Sequence, residues 1–172
     1  NELTSLDVSR NTALTNLRCD GNQLTALDVS RNTALTLLFC GDNQLTSLDV
    51  SPHTELINLS CSSNPLKTLD VSRNTKLINL YCISNELTSL DVSQNTTLTE
   101  LWCYGNQLTS LDISRNTALT ELWCYGNPGD GVSSFPVTAW FDNETVPAGL
   151  NVHSSSWWYD GKTITIDFRK AE

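Results

Sequence analysis

Apolar residues recur in this chain at a fixed interval of 21 residues, and most of its other patterns follow from that interval. Leucine stands at 3, 24, 45, 66, 87 and 108 and again at 6, 27, 48, 69, 90 and 111. Cysteine stands at 19, 40, 61, 82, 103 and 124, and asparagine at 22, 43, 64, 85, 106 and 127. Self-similarity at this length marks a solenoid, whose repeats bury their apolar edges against one another. Within one unit, Leu17-x-Cys19 alternates apolar and variable positions, which places both side chains on the inner face of a strand. Leu27-Asp28-Val29-Ser30 alternates in the same way. Two extended segments and two turns nearly fill the unit, and its Thr-, Val- and Asp-rich second half disfavours a helix. The pattern predicts stacked coils that are mostly β, with a parallel sheet on one side and short strands or extended segments opposite.

The period ends at Asn127, where Pro128-Gly129-Asp130-Gly131 breaks it. The expected division is six repeats over residues 1–127 and a capping segment over 128–172. Val137 to Phe141 reads as a strand that continues the stack. Asp160-Gly161, between Trp157-Trp158-Tyr159 and Thr163-Ile164-Thr165-Ile166-Asp167-Phe168, predicts a β-hairpin. Its Ile164, Ile166 and Phe168 fall on one face, suited to covering the last coil, and Trp140, Trp157 and Trp158 are expected to help shield it, with an exposed Trp pair that extends the aromatic surface as the alternative. The chain enters mid-repeat with no cap of its own, so the natural protein is expected to extend upstream. Asn1 opens no charged and apolar leader, so any targeting signal is expected to be absent or removed.

The unit Leu14-x-x-Leu17-x-Cys19-x-x-Asn22-x-Leu24 resembles the leucine-rich repeat, with cysteine in place of the third leucine. More narrowly, the six copies resemble the short 21-residue class of bacterial surface proteins with a cysteine ladder, the internalin J-like repeats. That resemblance implies a leucine-rich-repeat solenoid, partners bound on the main sheet face, and an extracellular or bacterial cell-surface location.

The invariant columns read as scaffold. Each asparagine of the 22 column is expected to turn inward and bond backbone left unpaired at the bend. His53 replaces asparagine in the second column, between Asn32 and Asn74, and reads as a tolerated turn residue. Cysteines one per rung contain no C-x-x-C pair for zinc, and parallel side chains cannot easily reach disulfide geometry, so free core thiols are expected. Asp7, Asp28, Asp49, Asp70, Asp91 and Asp112 stack like charges that require compensation. Turn amides, Ser and Thr hydroxyls, and Arg10, Arg31, Arg73 and Arg115 would supply it; calcium is the alternative.

A net charge of −9 argues against a nucleic-acid partner, because neutralising phosphates needs clustered Lys and Arg. No apolar run is long enough for membrane insertion as a helix. An enzyme is disfavoured and no cofactor or metal is expected. The two histidines, His53 and His153, stand far from any repeating nucleophile, and no nucleophile elbow or phosphate loop appears. Glu100 and Glu121 on neighbouring rungs would lie too close together on an open sheet for glycosidase chemistry.

The variable positions carry the functional reading. Strand alternation turns three columns outward. These are Asn16, Leu37, Asn58, Asn79, Glu100 and Glu121; Arg18, Phe39, Ser60, Tyr81, Trp102 and Trp123; and Asp20, Gly41, Ser62, Ile83, Tyr104 and Tyr125. The expected partner-binding set is therefore Phe39, Tyr81, Glu100, Trp102, Tyr104, Glu121, Trp123 and Tyr125, an aromatic patch rimmed by acid. Its foremost occupant is a protein partner. A glycan on the same face, and a spacer whose aromatics only stabilise the sheet, are the alternatives.

Overall fold

The computed structural model describes all 172 residues. Three-residue strands recur once per unit: β1 Asn16–Arg18, β2 Leu37–Phe39, β3 Asn58–Ser60, β4 Asn79–Tyr81, β5 Glu100–Trp102 and, after the two-residue β6 Leu111–Asp112, β7 Glu121–Trp123. The tail adds β8 Ser134–Ala139, β9 Asn151–Val152, β10 Ser156–Tyr159 and β11 Lys162–Lys170. No helix forms. The main sheet is parallel in the order β1-β2-β3-β4-β5-β7-β9, and successive strands pair residue i with i+21 from β1 to β7. Its central leucines, from Leu38 to Leu122, are fully buried, and so are the cysteines from Cys40 to Cys124.

Both turns of each coil satisfy their own backbone. The first passes through a left-handed residue on every rung: Gly21, Gly105 and Gly126, and equally Asp42, Ser63 and Ser84. Glycine serves that conformation without a Cβ penalty. Asparagine locks the turn. Asn64 Nδ2 donates to Cys61 O (3.0 Å), Ser62 O (3.1 Å) and the preceding rung's Cys40 O (3.1 Å), while its Oδ1 accepts from Leu45 N (2.9 Å). The same pattern repeats at Asn43, Asn85, Asn106 and Asn127, as the sequence pattern requires. In the second turn, Asn74 Nδ2 donates to Val50 O and His53 O of the rung before. His53 fills that slot itself, fully buried, with Nε2 3.0 Å from Val29 O.

The side opposite the main sheet is extended rather than laddered until β6. Two consecutive turns, closed by Asn32 N to Val29 O and Leu35 N to Asn32 O, consume its backbone groups on each rung. A four-stranded sheet, β10-β11-β8-β6, then closes the C-terminal end. The aspartate column is compensated locally, since each Oδ1 accepts the amide of the serine two residues on at 2.9 Å. Bonds from that serine hold Asp7, Asp28, Asp49, Asp70 and Asp91 below the usual carboxylate range. Three of the four arginines also act on this column, through space and without an ion pair: Arg31 on Asp7 and Asp28, Arg73 on Asp70 and Arg115 on Asp91. The chain's ion pairs are Lys76 with Glu55 and Arg169 with Asp167.

The strand expected at Val137–Phe141 is β8, which spans Ser134–Ala139 and continues the stack on the opposite side, beside β6. The tail departs from its sequence reading in two respects. The main sheet gains β9, a strand the sequence pattern did not reveal. Trp140 and Trp157 pack on the core, but Trp158 is 72% exposed and shields nothing. The cause is the two-residue alternation of β10, whose neighbouring tryptophans must face opposite ways. The Asp160-Gly161 hairpin joins β10 to β11 as expected, and Ile164, Ile166 and Phe168 are buried against the last coil.

The joint between repeats and tail depends on Gly129. It is left-handed (φ 62°), and a Cβ there would stand 2.1 Å from Ser134 O. Gly129→Ala is expected to destabilise the protein by about 3 kcal/mol, from steric displacement of backbone and the left-handed penalty together. A urea midpoint within error of the parent would contradict that account.

Candidate functional site

Strand alternation aims residues 81, 102 and 123 outward from β4, β5 and β7, and parallel pairing sets them side by side. The rings meet face to face. Trp102 and Trp123 lie 4.4 Å apart at 13°, and Tyr81 tilts against Trp102 at 4.6 Å. One column over, Tyr104 and Tyr125 stack at 4.5 Å and 8°, and Tyr104 touches Trp123 at 6.0 Å. All five rings are half-buried.

The acid rim is bonded into the patch. Tyr81 Oη donates to Glu100 Oε2 at 2.6 Å, and burial, then Glu100, raises the phenol well above its ordinary value. Glu121 Oε2 accepts from Trp123 Nε1 (3.3 Å) and from Asn151 Nδ2 (2.9 Å). Burial, followed by Tyr104, raises Tyr125 as well.

The structure thus brings Tyr81, Glu100, Trp102, Tyr104, Glu121, Trp123 and Tyr125 together and sets Phe39 apart. Ser60 intervenes between Phe39 and Tyr81, and the ring of Phe39 carries the Arg18 guanidinium 4.4 Å above its centroid. One member was not found from sequence. His153 stacks on Trp123 at 4.2 Å and 17°, because β9 pairs with β7 and His153 N donates to Leu122 O. Nothing in the spacing of the tail signals that pairing, since β9 lies outside the 21-residue register.

No cluster of three or more His, Cys, Asp or Glu side chains is arranged to hold a metal ion. No helix is long and apolar enough to cross a membrane. The largest concavity adjoining the aspartate column, about 470 Å³ between Thr88–Ser93 and Thr109–Asp112, is shallow and lies on the opposite side from the aromatic rings.

Among solved structures, the chain matches the functional domain of InlJ from Listeria monocytogenes, which includes a cysteine ladder. The two are 36% identical with a TM-score of 0.66, over 88% of this chain and 41% of that one. The cysteines of this chain stand on successive rungs in the same manner. The chain is a cysteine-ladder leucine-rich repeat of the bacterial type. Two further leucine-rich-repeat structures are similar. A leucine-rich-repeat protein of Leptospira interrogans is 25% identical (TM-score 0.69) over 96% of this chain and 54% of that one. The internalin inlF of Listeria monocytogenes is 26% identical (TM-score 0.57) over 70% and 39%. This chain therefore spans about half or less of each of these three structures. No family model and no curated protein matches it.

Proposed function

We propose that this chain is a non-catalytic binding and adhesion module that presents its aromatic-acidic face to a protein partner. The observation that carries this reading is the way the rings stack. With Trp102, Trp123 and His153 face to face, the column turns ring edges and carboxylates toward solvent, while Trp123 Nε1 is bonded to Glu121 and Trp102 Nε1 is buried without a partner. Sugar rings seek the flat faces of aromatics, and here those faces are occupied by each other. Protein interfaces instead use Trp and Tyr as rigid anchors ringed by polar groups.

The sheet does not need this patch in order to form. Strands β1 to β4 pair in the same three-residue register without an aromatic stack, which weighs against a spacer. Catalysis by Glu100 and Glu121 is disfavoured because both carboxylates already hold Tyr81, Trp123 and Asn151 on an open surface. The location that goes with this reading is the bacterial surface or the extracellular space, the setting implied by internalin-type repeats.

The test compares the parent with Trp102→Ala/Trp123→Ala on a panel of host and bacterial surface-protein ectodomains and on a glycan array. Capture of a protein ligand should weaken by about 30-fold or more, the effect of two anchor residues, with the circular dichroism spectrum unchanged. Loss confined to the glycan array would transfer the face to sugars. Identical behaviour in both assays would leave only the spacer.

A further inference from the structure

The central outward column has one missing member. In rung order it reads Arg18, Phe39, Ser60, Tyr81, Trp102 and Trp123, followed by His153 from the tail. Planar groups lie against each other along this whole column except at Ser60. Arg18 stands 4.4 Å from the Phe39 centroid, and the later neighbours follow at 4.6, 4.4 and 4.2 Å. Strands β2, β3 and β4 pair without a bulge, so Phe39 and Tyr81 stand two rungs apart, about 9.6 Å at ordinary strand spacing. One planar group at the column's own spacing fills that interval. Arg18 covers Phe39 from the β1 side and Tyr81 bonds Glu100 and packs on Trp102 on the β5 side, so neither ring has an aromatic or cationic neighbour on the Ser60 rung.

We propose that this gap is a slot for one arginine side chain of the protein partner, held between Phe39 and Tyr81. The inference rests on the binding function above and assigns chemistry to part of that face. Charge and geometry choose arginine. Asp20 and Ser60 both border the buried Gly41: a Cβ there would lie 3.2 Å from Ser62 O, 3.3 Å from Asp20 Oδ1 and 3.7 Å from Ser60 Oγ, so a carboxylate, a hydroxyl and a carbonyl lie beside the gap. Asp20 Oδ1 accepts from Gly41 N at 3.0 Å, and its second oxygen carries no hydrogen bond. A guanidinium is flat enough to stack and has N–H groups to donate sideways to that carboxylate and hydroxyl. An aromatic guest would leave both unanswered, and a lysine ammonium is not flat. The Arg18–Phe39 contact shows the pairing within the same column, and the chain's net charge of −9 favours a cationic guest.

The experiment is an NMR titration, observing aromatic resonances, with N-acetyl-arginine-N-methylamide and its lysine and phenylalanine counterparts. The arginine amide should give saturable shifts at Phe39 and Tyr81, with affinity about fivefold or more above either counterpart. Ser60→Tyr, which completes the column, should weaken that binding about tenfold or more while the melting temperature holds or rises. Asp20→Asn keeps the Gly41 contact and should weaken it severalfold, which secures the test should Ser60→Tyr fail to fold. Absent shifts at the two rings, equal binding of lysine or phenylalanine amide, or an unchanged titration in a folded slot variant would overturn the proposal. Trp123→Ala, whose ring touches neither Phe39 nor Tyr81, should leave the titration intact. Failure of the slot with partner capture preserved therefore sinks this inference alone, and the reverse result sinks the proposed function alone.

Discussion

Raising the pH of a reduced solution from 9 to 11 should unfold this protein over a narrow interval. The six thiols are free and enclosed in the core, and burial raises every one of them above the ordinary thiol value of 9.0. Cys19 is pushed up to about 11 and Cys124 to about 12, and the four between them well above 9.0. The folded chain therefore keeps its thiol protons where the unfolded chain releases them. Stability is fully present below about pH 9 and is lost as pH climbs toward the folded values. Each thiol withdraws about 1.4 kcal/mol per pH unit, so six withdraw about 8 kcal/mol one unit above the unfolded value. That is the whole stability of an ordinary domain. Circular dichroism followed through the interval measures it, and Cys61→Ala/Cys82→Ala should move the transition upward and lower its proton number. Native spectra persisting at pH 11 would show that the thiols are not jointly buried.

The second large effect belongs to the asparagine ladder. Asn64→Ala should cost about 4 kcal/mol, because three carbonyls and one amide lose their partner inside the coil where no water replaces it. Thr54→Ala, an exposed change on the neighbouring rung, should stay within about 0.5 kcal/mol. The comparison is read from urea midpoints with matched slopes. A loss at Asn64 no larger than at Thr54 would mean that the bend holds without its side-chain bonds.

Much of this architecture was legible because one error-free register writes it six times over. A one-residue slip would turn every Leu and Cys of a strand outward, so the alternation at Leu17-x-Cys19 fixes which columns face solvent. That determined the composition of the aromatic face, including the neighbours Trp102 and Trp123, before any coordinate was known. Asn22 and its equivalents were equally readable, since a polar residue repeated beside a buried column needs partners that the bend provides.

The opposite side was harder to read. Its alternation at Leu27-Asp28-Val29 left short strands and extended segments both open, and the turns that follow divert the backbone bonds, so the segments stay extended on most rungs and pair as a strand only at β6. The aspartates likewise needed no arginine ion pair, because each already accepts the amide of the serine two residues on at 2.9 Å, and the arginines add to that only through space.

The sequence by itself determined the solenoid, the inward Leu, Cys and Asn columns, the outward aromatic columns and the Asp160-Gly161 hairpin. All of these depend on local alternation, turn chemistry and repetition at short range. Only the tertiary structure decided that β9 would extend the main sheet and place His153 on Trp123, that β8 would join β6 on the far side, and that Trp158 would face solvent. Those choices depend on how a unique, non-repeating segment covers the end of the stack. Shape matching between the last coil and the tail sets them, and no periodicity encodes it.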